Sequence, residues 1–282
     1  MRMQGFFTLA LLLPALAFMA VLFVLPLGVY LINGFHLFEA GRIVPVWTLR
    51  TYIEFLSDPF AYRVIGASLR LSLLVTLLAL VIGFPLAYAL HTRVHSVAGR
   101  AAVALLLFSP LVVSVVVRTY GWFILLANRG LVNTALGALQ LLEGPLPLLF
   151  NFRGVVISLT HILLPFAIFP IYSVLARLDV SLKEAARDLG AGPWEAFTRV
   201  TLPLAMPGVV AAALICFTLA LSAFVTPQLL GGGRVQVLPL MVYNSTVEIN
   251  WPLGAVAGLT LLVLSVAAVW SFNALLRRLP SV

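Results

Sequence analysis

The residues able to do chemistry in this chain are few and unevenly placed. The richest stretch is 177–207, which holds Arg177, Asp179, Lys183, Glu184, Arg187, Asp188, Glu195 and Arg199, eight of the 17 basic and 9 acidic residues in the whole sequence. Its order is that of a folded element. Ser181-Leu-Lys-Glu184 has capping-box spacing, in which serine and glutamate satisfy the exposed amides of a new helix. That helix runs through Ala185, Ala186 and Leu189 and stops at Gly190, a residue suited to a left-handed C-cap. Pro193 fits the first position of a second short helix, Pro193 to Val200, and Leu202-Pro203 and Pro207 follow it. Leu182, Ala185, Ala186 and Leu189 form one small apolar face. On these residues alone, the element either docks into a groove on another protein or lies as an amphipathic hairpin on a membrane.

Elsewhere the polar residues interrupt long apolar runs. Arg118 either lines the outer half of a solute pathway, beside Tyr120 and Trp122, or braces helices by bonding to carbonyls. His161 reads as a satisfied buried histidine, and Arg70 is shallow enough to snorkel. Tyr243, Glu248 and Trp251 combine aromatics with a carboxylate, which suits an organic polycation, although interfacial anchoring explains the two aromatics equally well. His91 and His95 are four apart but have no third ligand, so no metal site is expected. Cys216 is the one cysteine, which excludes an intrachain disulfide. The sequence has no G-x-x-x-x-G-K-[ST], H-E-x-x-H or G-x-S-x-G, so no catalytic residues are assigned.

The elements that must hold these groups are membrane helices. Of the 282 residues 62% are hydrophobic and 9% charged, and the mean hydropathy is +1.13. A soluble domain carries about 25% charged residues. A bilayer core about 30 Å thick needs about 20 apolar residues per helix. Six runs qualify, at roughly Gly5 to Ile32, Val64 to Leu90, Ala101 to Ala127, Gly154 to Ala176, Gly208 to Leu230 and Leu253 to Leu276. The first is too long for a signal-peptide core and is expected to stay as a span. Pro14, Gly83, Pro85, Pro110, Pro165, Pro170 and Pro227 fall inside these runs, where neighbouring helices can re-satisfy the backbone. On a straight helix, Arg118 lies about 17 residues into the third span, about 25 Å from the cytoplasmic side. Leu131, Ala135, Leu139 and Leu142 make the apolar stripe of a short interfacial helix, and Gly231-Gly232-Gly233 is a turn ending the fifth span. With both termini cytoplasmic, nine Lys or Arg residues face the cytoplasm and six face outward, the sense of the positive-inside rule. The net charge of +8 is thereby topology, and no nucleic acid is needed to explain it.

Glu184-Ala185-Ala186, Gly190 and Val200-Thr201-Leu202-Pro203 resemble the EAA motif (EAA-x3-G-x9-I-x-LP) of ABC importer permeases, with valine in the usual isoleucine position. The resemblance covers essentially the whole chain. Gly83-Phe-Pro-Leu-Ala-Tyr88, Arg118-Thr-Tyr120, Gly130-Leu-Val-Asn133 and Trp251-Pro-Leu-Gly254 make it similar to the spermidine/putrescine-type branch. The resemblance implies an all-α integral membrane fold of six transmembrane helices, the type I ABC importer transmembrane domain. It places a first helix and outer loop in 1–63, the ABC type-1 domain in 64–276 and a cytoplasmic tail in 277–282. It makes 177–207 the coupling loop, with Glu184, Ala185, Ala186 and Gly190 contacting a separate ATP-binding-cassette ATPase dimer that binds ATP and Mg. The other implied partners are a second permease subunit, an extracytoplasmic solute-binding protein and the lipid bilayer of a bacterial inner membrane. The cargo would be polyamine-like, with amino-acid-like solutes, opines, phosphonates or iron as alternatives. Arg118, Tyr120, Trp122 and Glu248 are the pathway candidates. An autonomous secondary carrier would need intramembrane acids, which these spans largely lack.

Overall fold

Backbone amides in hydrocarbon must be satisfied within the chain, and apart from one short hairpin the described residues of this chain do so with helices. The computed structural model describes residues 12–94, 96–141 and 144–277. The chain divides into two units, Met1–Arg63 with Met241–Leu262, and Val64–Leu240 with Val263–Val282.

In the first unit, α1 (Leu12–Phe35) is apolar throughout and presents large side chains outward, Phe18, Leu22 and Phe23 among them, as a helix surrounded by lipid or by other helices does. A π turn at Ala20–Val24 precedes Pro26, and the Leu25 amide reaches back to the Ala20 carbonyl. The wider turn accommodates a ring that cannot donate and would clash in a tight helix. Strands β1 (Leu37–Glu39) and β2 (Arg42–Val44) pair antiparallel, Leu37 opposite Val44, around Ala40 and Gly41, both at positive φ. Helix α2 (Arg50–Ser57) packs Tyr52 against Phe35, with ring centroids 5.1 Å apart.

The second unit is built around α7 (Phe152–Leu175). Around it run α3 (Pro59–Arg93, from Val64 onward), α4 (Val97–Val112), α5 (Val115–Leu126), α6 (Leu131–Ala138), α8 (Val180–Asp188), α9 (Pro193–Leu221) and α10 (Val225–Gly231). Helix α11 (Leu238–Val247) and helix α12 (Trp251–Leu276) contribute to both units. Close crossings depend on glycine. A Cβ at Gly208 of α9 would lie 2.9 Å from the Pro170 carbonyl oxygen, and one at Gly83 of α3 would lie 2.9 Å from the Ala167 Cβ. Two apolar clusters result along α7. One gathers Leu71, Val75, Leu159, Leu163 and Cys216, and the other Ala87, Ile168, Ile171, Leu175 and Ala205.

Among the described residues five helices are long and apolar enough to cross a membrane, and a bent pair supplies a sixth crossing if it counts as one span. The bend corrects the expectation of a straight third span. Val97–Val112 meets the following Val115–Ala138 stretch at 96°. Pro110 cannot donate to the Leu106 carbonyl, which takes the Ser109 hydroxyl instead at 3.0 Å. Three residues after Pro110 the backbone turns extended, at Val113 and Ser114.

The fifth span also differs. It starts as far back as Pro193, stops at Leu221, and resumes as α10 after Ser222–Phe224. In an unbroken helix the Pro227 ring would collide with the Ala223 carbonyl, so the chain breaks there. Gly231–Gly233 therefore ends α10, not a continuous span. Pro193 to Val200 is likewise the beginning of α9, with a π turn at Phe197–Thr201 leading into Pro203. The predicted start of the first span, Leu142 of the interfacial stripe and His95 lie outside the described residues.

Candidate functional site

Two places gather the functional candidates. The first is the segment between α7 and α9. Helix α8 is capped by Asp179, whose carboxylate accepts from the Ser181 amide at 2.9 Å. The cap is thus two residues earlier than the capping box at Ser181 and Glu184 predicted. The bond holds the Asp179 carboxyl below its ordinary range.

At the far end Gly190 adopts φ +89°. The Ala191 amide donates to the Ala186 carbonyl at 3.0 Å and the Gly190 amide to the Arg187 carbonyl at 2.9 Å. These two bonds are a Schellman closure, which needs a left-handed residue at the position Gly190 fills. No atom lies within 4 Å of where its Cβ would be, so the backbone angle, not crowding within this chain, demands glycine there.

Glu184, Ala185 and Ala186 lie in the body of α8. Leu182 is exposed, Leu189 is 90% exposed and Trp194, the second residue of the next helix, is 75% exposed. Apolar side chains this open, beside Arg187 and Asp188, form a small surface that another protein can bury. The element is rooted in the membrane helices by one ring. Phe197 lies 5.6 Å from Trp194, 5.2 Å from Tyr88 and 6.0 Å from Phe84 between centroids. Tyr88 and Phe84 pack in turn on the Ile168–Ile171 cluster. Trp194 and Phe197 were not singled out from the sequence; the available signal was two aromatics opening a proline-started helix.

The second place is the start of α5. Arg118 lies in its first turn, its amide bonded to the Ser114 carbonyl at 3.0 Å. The bend at Val113–Ser114 removes the straight-helix ruler behind the 25 Å depth. Arg118 borders a cavity of about 300 Å³ lined by α5, α7, the end of α9 and α10, with Ser222 and Thr226 as its hydroxyls. Its Nε and Nη1 are buried and find no hydrogen-bond partner among the described residues, so no carbonyl brace holds these atoms.

Trp122, one turn further, donates from its indole to His161 Nδ1 at 3.2 Å, which leaves the proton of a neutral imidazole on Nε2. Next to Arg118, Thr119 shares a hydroxyl bond with Thr226 at 3.2 Å and joins α5 to α10. Tyr120 is on the other face, 54% exposed and 6.2 Å from the Phe123 ring. Arg70 stacks its guanidinium over Phe152 at 5.1 Å. Glu248 lies in the other unit, exposed just past the end of α11, where its amide reaches the Asn244 carbonyl at 2.9 Å. Among the described residues no three His, Cys, Asp or Glu side chains come together as metal ligands.

Comparison with known proteins adds three findings. Residues 1–280 match the family described as "Binding-protein-dependent transport system inner membrane component". The chain is 34% identical over 244 residues to the spermidine/putrescine transport system permease protein PotB of Escherichia coli (strain K12), covering 85% of this chain and 88% of that one. It is 34% identical over 235 residues to the protein of the same name from Haemophilus influenzae, covering 82% and 81%. Among solved structures, a bacterial ABC transporter involved in the import of the acidic polysaccharide alginate superposes with a TM-score of 0.79 at 20% identity, over 99% of this chain and 97% of that one. A chain of the MetNI methionine ABC transporter, in an inward-facing conformation, gives 0.58 at 19% identity, over 80% and 100%.

Proposed function

The chain belongs to the family of binding-protein-dependent transport system inner membrane components, and from that premise we propose how it works and what it carries. It is a multi-pass inner-membrane permease subunit of an ABC importer, a transport component and not an enzyme. The cargo is a small polyamine-like solute handed over by a binding protein. Support for that class comes from relatives whose names carry spermidine and putrescine. ATP and Mg act on a separate ATPase dimer, and a second permease subunit completes the pathway.

The element from Asp179 to Phe197 is the coupling lever. The observation that carries this reading is the closed helix–glycine–helix turn with Leu189 and Trp194 laid open, rooted through Phe197 on α3. Alanines at 185 and 186 keep the α8 surface low, so that a facing groove can approach. Closure of the ATPase dimer moves the lever as a body. The membrane helices then shift between inward- and outward-open arrangements, as nucleotide biases a two-state equilibrium.

The test uses Trp194→Ala and Gly190→Val in the assembled transporter. Trp194 is exposed, so its truncation leaves the fold intact while removing an aromatic anchor, a loss of about 2 kcal/mol where such a residue is a hot spot. ATPase co-purification and ATP-driven uptake are both expected to fall by at least about tenfold. Gly190→Val forces a β-branched residue to positive φ and is expected to do the same. If both variants retain ATPase association and uptake, this segment is not the coupling element.

A further inference from the structure

We propose that the cavity at Arg118 is a carboxylate site, and that the solute carried bears an acidic group beside its amines. The inference rests on the importer reading above and narrows its cargo. An arginine is charged at any physiological pH, and a charge taken out of water requires a partner. Nε and Nη1 of Arg118 are buried and have none among the described residues. The helices around it supply no carboxylate. Between Asp58 and Asp179 the only acidic residue is Glu143, and between Glu195 and Glu248 there is none. Helices α3, α4, α5, α7 and α10 therefore carry no carboxylate, and that of α9 is Glu195 in its first turn, paired to Arg199 at 2.8 Å. None of the described residues supplies a counter-charge to these two atoms, and a bound anion can.

The shape beside the guanidinium says what brings it. The cavity of about 300 Å³ is walled by Val115, Leu159, Phe166 and Phe224, with Ser222 and Thr226 as polar points. That is the size and lining of a small-ligand site, in which apolar walls hold the body of a molecule and a few polar groups orient it. It lies where two spans are interrupted, at Val113–Ser114 and Ser222–Phe224. Interrupted helices at membrane depth are tolerated where they line a cavity, and they mark solute sites in transport proteins. Nη2 shares one edge of the planar guanidinium with Nε and another with Nη1, so one carboxylate can accept in parallel from Nη2 and either of them, a pairing a bare diamine cannot make.

The test uses the whole transporter, with ATPase and second permease, in lipid nanodiscs. Direct binding is measured for putrescine and for N-(2-carboxyethyl)putrescine, the same diamine bearing one carboxylate. Wild type is expected to prefer the carboxylated probe by at least about tenfold, since a hydrogen bond to a charged group is worth about 1.5–3 kcal/mol. Arg118→Gln is expected to erase that preference by lowering affinity for the carboxylated probe at least about tenfold. Arg118→Lys keeps the charge without the fork and should retain part of the preference.

Equal affinities in wild type, no binding of the carboxylated probe, or an unchanged preference in Arg118→Gln each overturn the proposal. So does loss of the second permease from the Arg118→Gln complex with the preference intact, which would assign the counter-charge to that subunit. Stimulation of ATP hydrolysis by loaded binding protein is read on the same wild-type preparation. Its failure would strike the importer reading, whereas its presence without a carboxylate preference strikes this proposal alone.

Discussion

The Phe197 ring stands edge-on to Tyr88, with centroids 5.2 Å apart and planes 68° apart, and so fastens the π turn of α9 to α3. The contact joins the exposed helix–glycine–helix surface to the buried cluster on α7. A surface can transmit force to the membrane helices only through a packed joint of this kind. Edge-to-face pairs contribute about 0.5–1.5 kcal/mol beyond their burial.

Phe197→Ala is therefore expected to uncouple the transporter without removing its docking surface. ATPase co-purification should persist, because Leu189 and Trp194 remain, while ATP-driven uptake drops by about fivefold or more. Tyr88→Ala removes the facing ring and should lower uptake in the same way. Parallel assays of ATP hydrolysis and uptake in proteoliposomes check both. Uptake that survives Phe197→Ala would mean that force passes elsewhere.

The Asp179 cap gives a pH-dependent prediction. Its carboxyl is held below the ordinary range by the Ser181 amide. A depressed folded value means that the stabilisation is present at neutral pH and is lost as pH falls through the folded pKa, below the usual carboxylate range near pH 4. Hydrogen exchange at the Ser181 amide should accelerate in Asp179→Ala at pH 7 and stay slow in Asp179→Asn, whose side-chain oxygen still accepts. In wild type the protection should hold from pH 7 to pH 5 and weaken only below that. Equal exchange in all three proteins would place the cap elsewhere.

These contacts divide into those that local rules reach and those they do not. The turn at Gly190 was legible because a Schellman closure is a local event, in which one residue type and one spacing set the backbone. The apolar runs were legible because a span is mostly composition. The interruptions were not. Pro110 and Pro227 look no different in sequence from Pro85, Pro165 and Pro170, around which the helices continue. Whether a helix breaks at proline depends on what fills the freed carbonyl and on neighbours distant in sequence. At Ser181 two caps competed, Asp179 and Ser181 itself, and the earlier one holds the first turn. The Arg118 cavity needed tertiary structure, since it forms between residues as far apart as Val115 and Thr226.

Packing against α7 supplies the last prediction. A methyl group at Gly208 would meet the Pro170 carbonyl oxygen at 2.9 Å, Val174 Cγ2 at 3.0 Å and Ile171 Cα at 3.1 Å. Two of the three are backbone atoms, so no rotamer change relieves the contact and the helices must separate. Overpacking of this kind costs about 1–3 kcal/mol. At Gly121 of α5 an added Cβ meets nothing within 4 Å. There the substitution gains helix propensity, about 1 kcal/mol for alanine over glycine in a water-exposed helix and less where neighbours already enforce the helix. Gly208→Ala is thus expected to lower the thermal midpoint of the detergent-solubilised transporter by several degrees, and Gly121→Ala to leave it unchanged or raise it slightly. Light-scattering-monitored melts of the two variants beside wild type measure the difference. Equal midpoints for Gly208→Ala and wild type would mean that α9 does not cross α7 at the separation described.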